Sequence, residues 1–394
     1  MTRQLLPPPT DETVPSREDL VARAATLREQ LWADAPEADR TRRLTDAAVD
    51  AVTAAGLNRL MTPWRFGGYE TDVRTVLDVS IEIGKGCGNS AWVNAVHNSG
   101  NFVVGMFPDR AREDVWGENP DARTSMVLVA PSATVEPADG GLVVTGKWGF
   151  ASGSLHAEWI LVLAGKPDSQ LLLVPLSDLT IEDTWHVAGM RGTGSNTVVA
   201  DRVFVPRHRA VPYRPILDGQ LPVVREDEPL YRTTLSGVLQ VFLLGGMIGE
   251  ATAALDFVLD KAPNRAIASS TYASQSDSVP FQVLVAEAAA LIDTARLHAT
   301  RAADTIDART PLDVPTRARM RMDAAWTVQK CREAVDLLMT AHGTSAFAEF
   351  NPLQRIWRDL GVGSRHGGFG GQIPQEVYGK ALLGLDPRQA SYLL

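Results

Sequence analysis

The sequence predicts an α+β protein: an N-terminal helical domain, a central antiparallel β domain and a C-terminal helical bundle. Three observations carry that expectation. Residues 141–206 form the only long strand-like stretch, with short β-branched or apolar runs at 142–145, 159–163, 171–174 and 197–205 bounded by Gly, Pro, Asp and Asn. The segments before it keep helical apolar spacing. The segments after it combine heavy Ala, Leu and Met usage with Arg and Asp on other faces, as a bundle requires. At 394 residues the chain is too long for one ordinary core. The expected division is a loose N-terminus over 1–15, then domains over 16–122, 123–210 and 211–394.

The opening residues are rich in proline and lack regular periodicity. Ser16 with Asp19 resembles a capping box, after which Leu20, Val21, Ala24, Leu27 and Leu31 keep one apolar face. A second helix is expected over about 40–55, with Gly56 as its C-terminal glycine. Residues 58–69 read as loop, and helices follow near 72–85, 89–106 and 108–116. Past the β unit, the Pro-rich stretch 207–229 reads as an excursion over the surface. Helices return over about 230–262, 279–309 and 315–342, with shorter pieces to the end.

Composition narrows the function. A net charge of −9 argues against a nucleic-acid or anionic-membrane surface. Cys87 and Cys331 lie far apart and form no disulfide, metal or redox spacing. The N-terminus has no signal-peptide core, and the most apolar segment, 233–249, is interrupted by Ser236 and Gln240. A cytoplasmic protein is expected.

Several chemistries lack their motifs. Gly189, Gly192 and Gly194 have the wrong spacing for a dinucleotide fingerprint, and Gly245, Gly246 and Gly249 fall within a helical pattern. No P-loop or H-E-x-x-H occurs. His156 and Glu158 begin a zinc deaminase signature whose cysteine half is missing. Ser152 and Ser195 stand outside any G-x-S-x-G elbow.

At the bend after the first strand run, Trp148, Gly149, Phe150, Ala151, Ser152 and Gly153 offer flat apolar rings beside a hydroxyl. Such a site suits a flat heteroaromatic cofactor, being mostly apolar with few orienting polar groups. The same residues suit a core pair of rings with a turn-capping serine. The motif alone leaves both open.

Three motifs in order add to this: GKWGFASG at 146–153, GMRGTGS at 189–195, and NPLQRIWRD at 351–359 running on to Ser364, Arg365 and His366. With them the chain, over about 16–385, resembles the acyl-CoA dehydrogenase fold and, within it, the two-component (group D) flavin-dependent monooxygenases. Dehydrogenases of that fold carry an acidic residue in a Glu-Gly-Thr context. Here residues 361–369 read GVGSRHGGF, and Glu376 sits in a different context.

The resemblance implies a homotetramer of three-domain subunits ending in four-helix bundles. Each would use reduced FMN or FAD with O2, through a C4a-hydroperoxyflavin, to hydroxylate a small aromatic or polyketide-type substrate in specialised metabolism. A separate NAD(P)H:flavin reductase would supply the flavin. By the same resemblance Ser152 bonds near the flavin N5, while Trp148 and Phe150 wall the ring and Trp185 is an aromatic beside it. His97 and His366 face each other across the reactive edge, Ser195 lines the site, and Arg265 meets the flavin phosphate of a neighbouring subunit. Plainer readings stand beside these: His97 as a helix-face histidine, Ser195 as a turn former, Trp185 as a core lid, Arg265 as a solvated helix-end arginine. Arg358 and Asp359 read as a structural ion pair. The rival functions are an amino-sugar N-oxygenase of the nitrososynthase kind, an acyl-CoA dehydrogenase, and a flavin-free scaffold.

Overall fold

Side-chain caps set half of the α-helix starts among the described residues. The computed structural model describes residues 14–129, 132–165, 168–218, 220, 227–235, 237–391 and 393–394. Most of the stretch expected to be a loose N-terminus (1–13) and part of the stretch expected as a surface excursion (219, 221–226) therefore lie outside the described residues. Ser16 and Asp19 form a reciprocal capping box at the start of α1 (Arg17–Thr26). The first expected helix divides at Leu27, and α2 (Arg28–Thr41) carries Pro36 inside it. The helix expected over 40–55 is shorter. Arg42 turns left-handed at φ 59° and ends α2, and Thr45 caps α3 (Asp46–Ala54) by accepting the Ala48 N–H. Asp72 caps α4 (Val73–Gly86). Then come α5 (Gly88–Val104), buried along its whole length, and α6 (Asp109–Trp116).

The β domain comprises β1 (Thr124–Val127), β2 (Thr134–Ala138), β3 (Gly141–Ala151), β4 (Trp159–Ala164), β5 (Gln170–Pro175), β6 (Thr180–Glu182), β7 (Asn196–Pro206) and β8 (Ala210–Pro212). They make two four-stranded sheets, ordered β1-β4-β5-β8 and β2-β3-β7-β6. The domain is not wholly antiparallel, because β1 runs parallel to β4. Parallel neighbours need a long crossover, and the β2–β3 hairpin in the other sheet provides it.

The C-terminal unit holds α7 (Tyr213–Leu217), α8 (Val238–Lys261), α9 (Val279–Asp307), α10 (Val314–His342), α11 (Pro352–Gly363) and α12 (Ile373–Leu382). Helix α8 packs against α4, α5, α9 and α10 and is the axis of the molecule. Extended to Asn264, it is the one helix among the described residues long and apolar enough to cross a membrane, but 78% of its apolar window is buried in protein. Its glycines serve packing. A Cβ on Gly84 of α4 would come 2.7 Å from the Gly246 carbonyl, so the two helices touch backbone to backbone.

Candidate active site

The bend expected to matter is built by a β-bulge. Trp148 pairs with Val198 and Ala151 with Asn196, so Gly149 and Phe150 together oppose Thr197. The extra residue forces Phe150 to φ 63° and turns its ring outward, 75% exposed. The ring of Trp185 meets it edge to face, centroids 5.7 Å apart.

Trp148 behaves differently from the sequence expectation. Its ring is fully buried and its indole N–H donates to the Leu163 carbonyl at 2.9 Å. It is a core residue of the β domain and walls no open site. The period of two along β3 sends Trp148 inward, and the bulge alone releases Phe150 from that alternation.

Ser152 follows the bulge, half-buried, at the centre of a hydroxyl chain. Its Oγ lies 2.7 Å from Ser195 Oγ, which lies 2.7 Å from Thr193 Oγ1. Thr193 donates to the Met190 carbonyl at 2.8 Å, and Trp185 Nε1 donates to the same oxygen at 2.8 Å. From the other side Trp92 Nε1 donates to Ser152 Oγ at 3.3 Å.

The loop carrying Met190, Thr193 and Ser195 is anchored from α11 and α2. A Cβ on Gly189 would run into the Arg358 carbonyl, so only glycine permits that approach. Asp359 accepts the Met190 N–H, and Asn89 donates to its other oxygen at 2.8 Å. Burial raises the Asp359 carboxyl to about 6, and burial with the Asp359 charge raises Glu250 well above the usual carboxylate range. Arg358 pairs with Asp39 at 2.8 Å rather than with Asp359, against the sequence reading.

Trp92 also reaches the C-terminal segment. Its ring meets His366 edge-on, centroids 5.5 Å apart, so one indole joins His366 to the Ser152 bend within a single chain. His366 Nδ1 accepts the Gly368 N–H at 3.2 Å, which in the neutral ring leaves the proton on Nε2 as a donor. The ring is exposed in the single chain, yet crowding by its neighbours lowers its pKa through desolvation, favouring the neutral form.

His97 does not oppose His366. Trp92 and His97 are five residues apart on α5 and project about 140° apart at 3.6 residues per turn. His97 is 2% exposed and its Nε2 lies 3.1 Å from the Gly153 carbonyl. A carbonyl only accepts, so Nε2 carries the proton. Burial lowers the pKa to about 3, with the Gly153 contact opposing. The ring props the bend from behind, and a Cβ on Gly153 (φ 73°) would come 2.7 Å from it.

Arg265 also lies apart. It follows the C-terminus of α8, where His342 and Ser345 engage its guanidinium, the latter at 2.8 Å. Gln240, near the other end of α8, packs beside Gly368 and the His366 segment. About 25 residues of helix at 1.5 Å each separate the two ends by roughly 37 Å.

Within one chain the candidate site gathers Phe150, Ser152, Trp185, Ser195 and His366 and leaves Trp148 and His97 outside it, while Arg265, expected against a neighbouring subunit's flavin, stands at the far end of α8. Sequence reasoning missed Trp92 and Thr193. Thr193 stood inside a quoted motif, two residues before Ser195, where alternate hydroxyls on one loop were a usable signal. Trp92 carried none, being one apolar residue on a helix buried on every side.

Residues 244–370 match the family model for the acyl-CoA dehydrogenase C-terminal domain. The FADH(2)-dependent resorcinol hydroxylase oxygenase component of Rhizobium sp. (strain MTP-10005) is 32% identical over 390 residues, spanning 94% of this chain and 95% of its own length. The flavin-dependent monooxygenase oxygenase subunit HsaA of Rhodococcus jostii (strain RHA1) is 32% identical over 371 residues, spanning 91% and 96%. The chain belongs to the flavin-dependent monooxygenase oxygenase components. Among solved structures of such proportions, XiaF from Streptomyces sp., in complex with FADH2 and glycerol, matches with a TM-score of 0.89 and 36% identity over 94% of this chain and 96% of its own.

The side chains of this oxygenase component fit a flat ring at the bend. An edge-to-face pair with one ring 75% exposed presents apolar surface that a planar group would cover. Ser152, two residues on from Phe150, adds a half-buried hydroxyl at the same bend.

Proposed function

We propose that this chain is the oxygenase half of a two-component monooxygenase, taking reduced FMN or FAD from a separate flavin reductase and hydroxylating a small aromatic substrate with O2. The observation that carries the reading is the continuous path from Ser152 through Trp92 to His366. It puts an orienting hydroxyl and a neutral imidazole donor on two sides of one indole.

When bound, the reduced flavin supplies the oxygen-activating chemistry. The protein's own groups bind, orient and exclude water. Phe150 and Trp185 offer the apolar face, and Ser152 orients the ring by one hydrogen bond. His366 Nε2–H donates to charge that develops on oxygen, and its lowered pKa keeps it neutral at physiological pH. Trp92 fills the space between the two groups and keeps it dry. Arg265 enters this reading only through a homotetramer, meeting the flavin phosphate of an adjacent subunit.

Resorcinol, named in the Rhizobium relative, is a phenol, and an apolar ring surface with one imidazole donor suits that class. The dehydrogenase alternative is weaker on chemistry. Glu376 lies on α12 in an exposed ion pair with Lys380 at 3.7 Å, which ties the carboxylate to its own helix.

The test supplies the purified chain with NADH, a flavin reductase, catalytic FAD or FMN and a panel of phenols under 18O2. The reading expects one 18O in a hydroxylated product. Loss of turnover in His366→Ala with reduced-flavin affinity retained supports the assigned donor. Absence of flavin binding in either redox state, or product oxygen from water, overturns it.

A further inference from the structure

The hydroxyl chain at the bend has only one self-consistent set of proton positions. At one end stands the Met190 carbonyl, which accepts only, and at the other the Trp92 indole N–H, which donates only. Thr193 has a single hydroxyl proton, and its 2.8 Å contact with the carbonyl uses it. Ser195 must therefore donate to Thr193 across their 2.7 Å contact. Ser152 must in turn donate to Ser195, also at 2.7 Å. Reversing any hydroxyl sets two oxygens 2.7–2.8 Å apart with no proton between them.

The consequence falls on Ser152. Its only proton is committed, and one lone pair receives Trp92. The second lone pair is all it can offer a ligand, so Ser152 accepts and does not donate. A ring nitrogen bearing hydrogen satisfies that lone pair, whereas a ring nitrogen presenting its own lone pair repels it. N5 of reduced flavin carries the hydrogen and N5 of oxidised flavin does not.

We infer that Thr193, acting through Ser195, is a positioning residue that fixes Ser152 as a hydrogen-bond acceptor and so biases the bend toward a reduced flavin over an oxidised one. The inference rests on the flavin reading above. Thr193 need touch no cofactor, because it acts by orienting a proton two residues away. Its own direction is set by Met190, whose carbonyl also takes Trp185 Nε1 and whose N–H is bound by Asp359.

The experiment measures dissociation constants for oxidised and chemically reduced FMN and FAD, the latter under anaerobic conditions, together with the reduction potential of the bound flavin. Wild type is expected to bind the reduced form at least tenfold more tightly. Thr193→Val keeps the shape and frees Ser195 and Ser152 to reverse, so the preference should fall about tenfold, chiefly through tighter oxidised binding. A tenfold change in the ratio raises or lowers a two-electron potential by about 30 mV. Thr193→Ser restores the hydroxyl and should restore the preference, and Ser195→Ala should mimic the valine variant. A merely structural role would weaken both redox states alike in Thr193→Val, and that result overturns the inference. Equal affinity of wild type for both states overturns it too while leaving the oxygenase reading intact. Absence of binding in both states overturns both.

Discussion

Asp359 of α11 accepts the backbone N–H of Met190, a non-glycine residue held in the left-handed region at φ 55°. That conformation costs on the order of 1–3 kcal/mol for a residue with a side chain, and it aims the Met190 carbonyl at Thr193 and Trp185. Burial, the largest influence, outweighs the Met190 contact and raises the carboxyl from its ordinary 3.8 to about 6. The folded chain therefore retains a proton between pH 4 and 6 that the unfolded chain has lost. Stability from this group is present below pH 4 and disappears as the pH rises through about 6. Asp359→Asn stays neutral, and the buried Asn89 Oδ1, without a partner among the described residues, can turn to accept its amide. Denaturant titrations from pH 4 to 7 should show the asparagine variant gaining on wild type up to about pH 6 and then levelling, by of order 3 kcal/mol at most. Parallel curves refute this.

His97 has the opposite sign. Its pKa is depressed to about 3 by burial, so the unfolded chain binds the extra proton between pH 6.5 and 3. The stability it contributes is full above 6.5 and is lost as the pH falls through that window. His97→Phe removes the donor to Gly153 and should cost roughly 1–2 kcal/mol at pH 7, with a shallower loss below pH 6.5. Because His97 stays neutral across the working range, a pH–rate profile of His97→Gln should keep the wild-type apparent pKa values. A missing limb in that profile would return His97 to the chemistry.

Of His97 and His366, only His366 is exposed. With Nδ1 engaged by Gly368, it presents Nε2–H. His366→Ala should lower the hydroxylation rate by roughly 10²-fold, the scale of one lost donor to developing charge, and change reduced-flavin affinity little. Single-turnover kinetics separates the two. Equal losses in binding and rate would make His366 a wall residue instead.

The fold was legible because its signals are local. Capping at Ser16, Gly56 after α3 and the short apolar runs of the β domain each follow from a few neighbouring residues. The candidate site was legible in part. Ser152, Phe150, Ser195, Trp185 and His366 lie in motifs whose residue types suit a planar ligand. Trp148 misled because a ring two positions from Phe150 reads as its companion, and the bulge that separates them depends on the β7 register. His97 misled because its place on α5, turned away from Trp92, matters only once the bend has docked. Asp359 looked like the partner of its neighbour Arg358, but consecutive helical residues do not face each other.

Phe150 sets stability against function at one position. Its φ of 63° is unfavourable for an aromatic side chain, and its ring, 75% exposed, gains little from the fold in return. Glycine adopts that φ freely. Phe150→Gly should therefore hold or raise stability, by about 1 kcal/mol, offset in part by the greater freedom of the unfolded chain. The same change removes one member of the pair with Trp185 and the apolar face it offers. Reduced-flavin affinity should fall roughly tenfold, the scale of one aromatic contact together with its buried area. Thermal unfolding without ligand and anaerobic flavin titration give the two numbers. A variant that loses stability and keeps its affinity would mean that Phe150 serves the fold, and the bend would then need another surface for the ring.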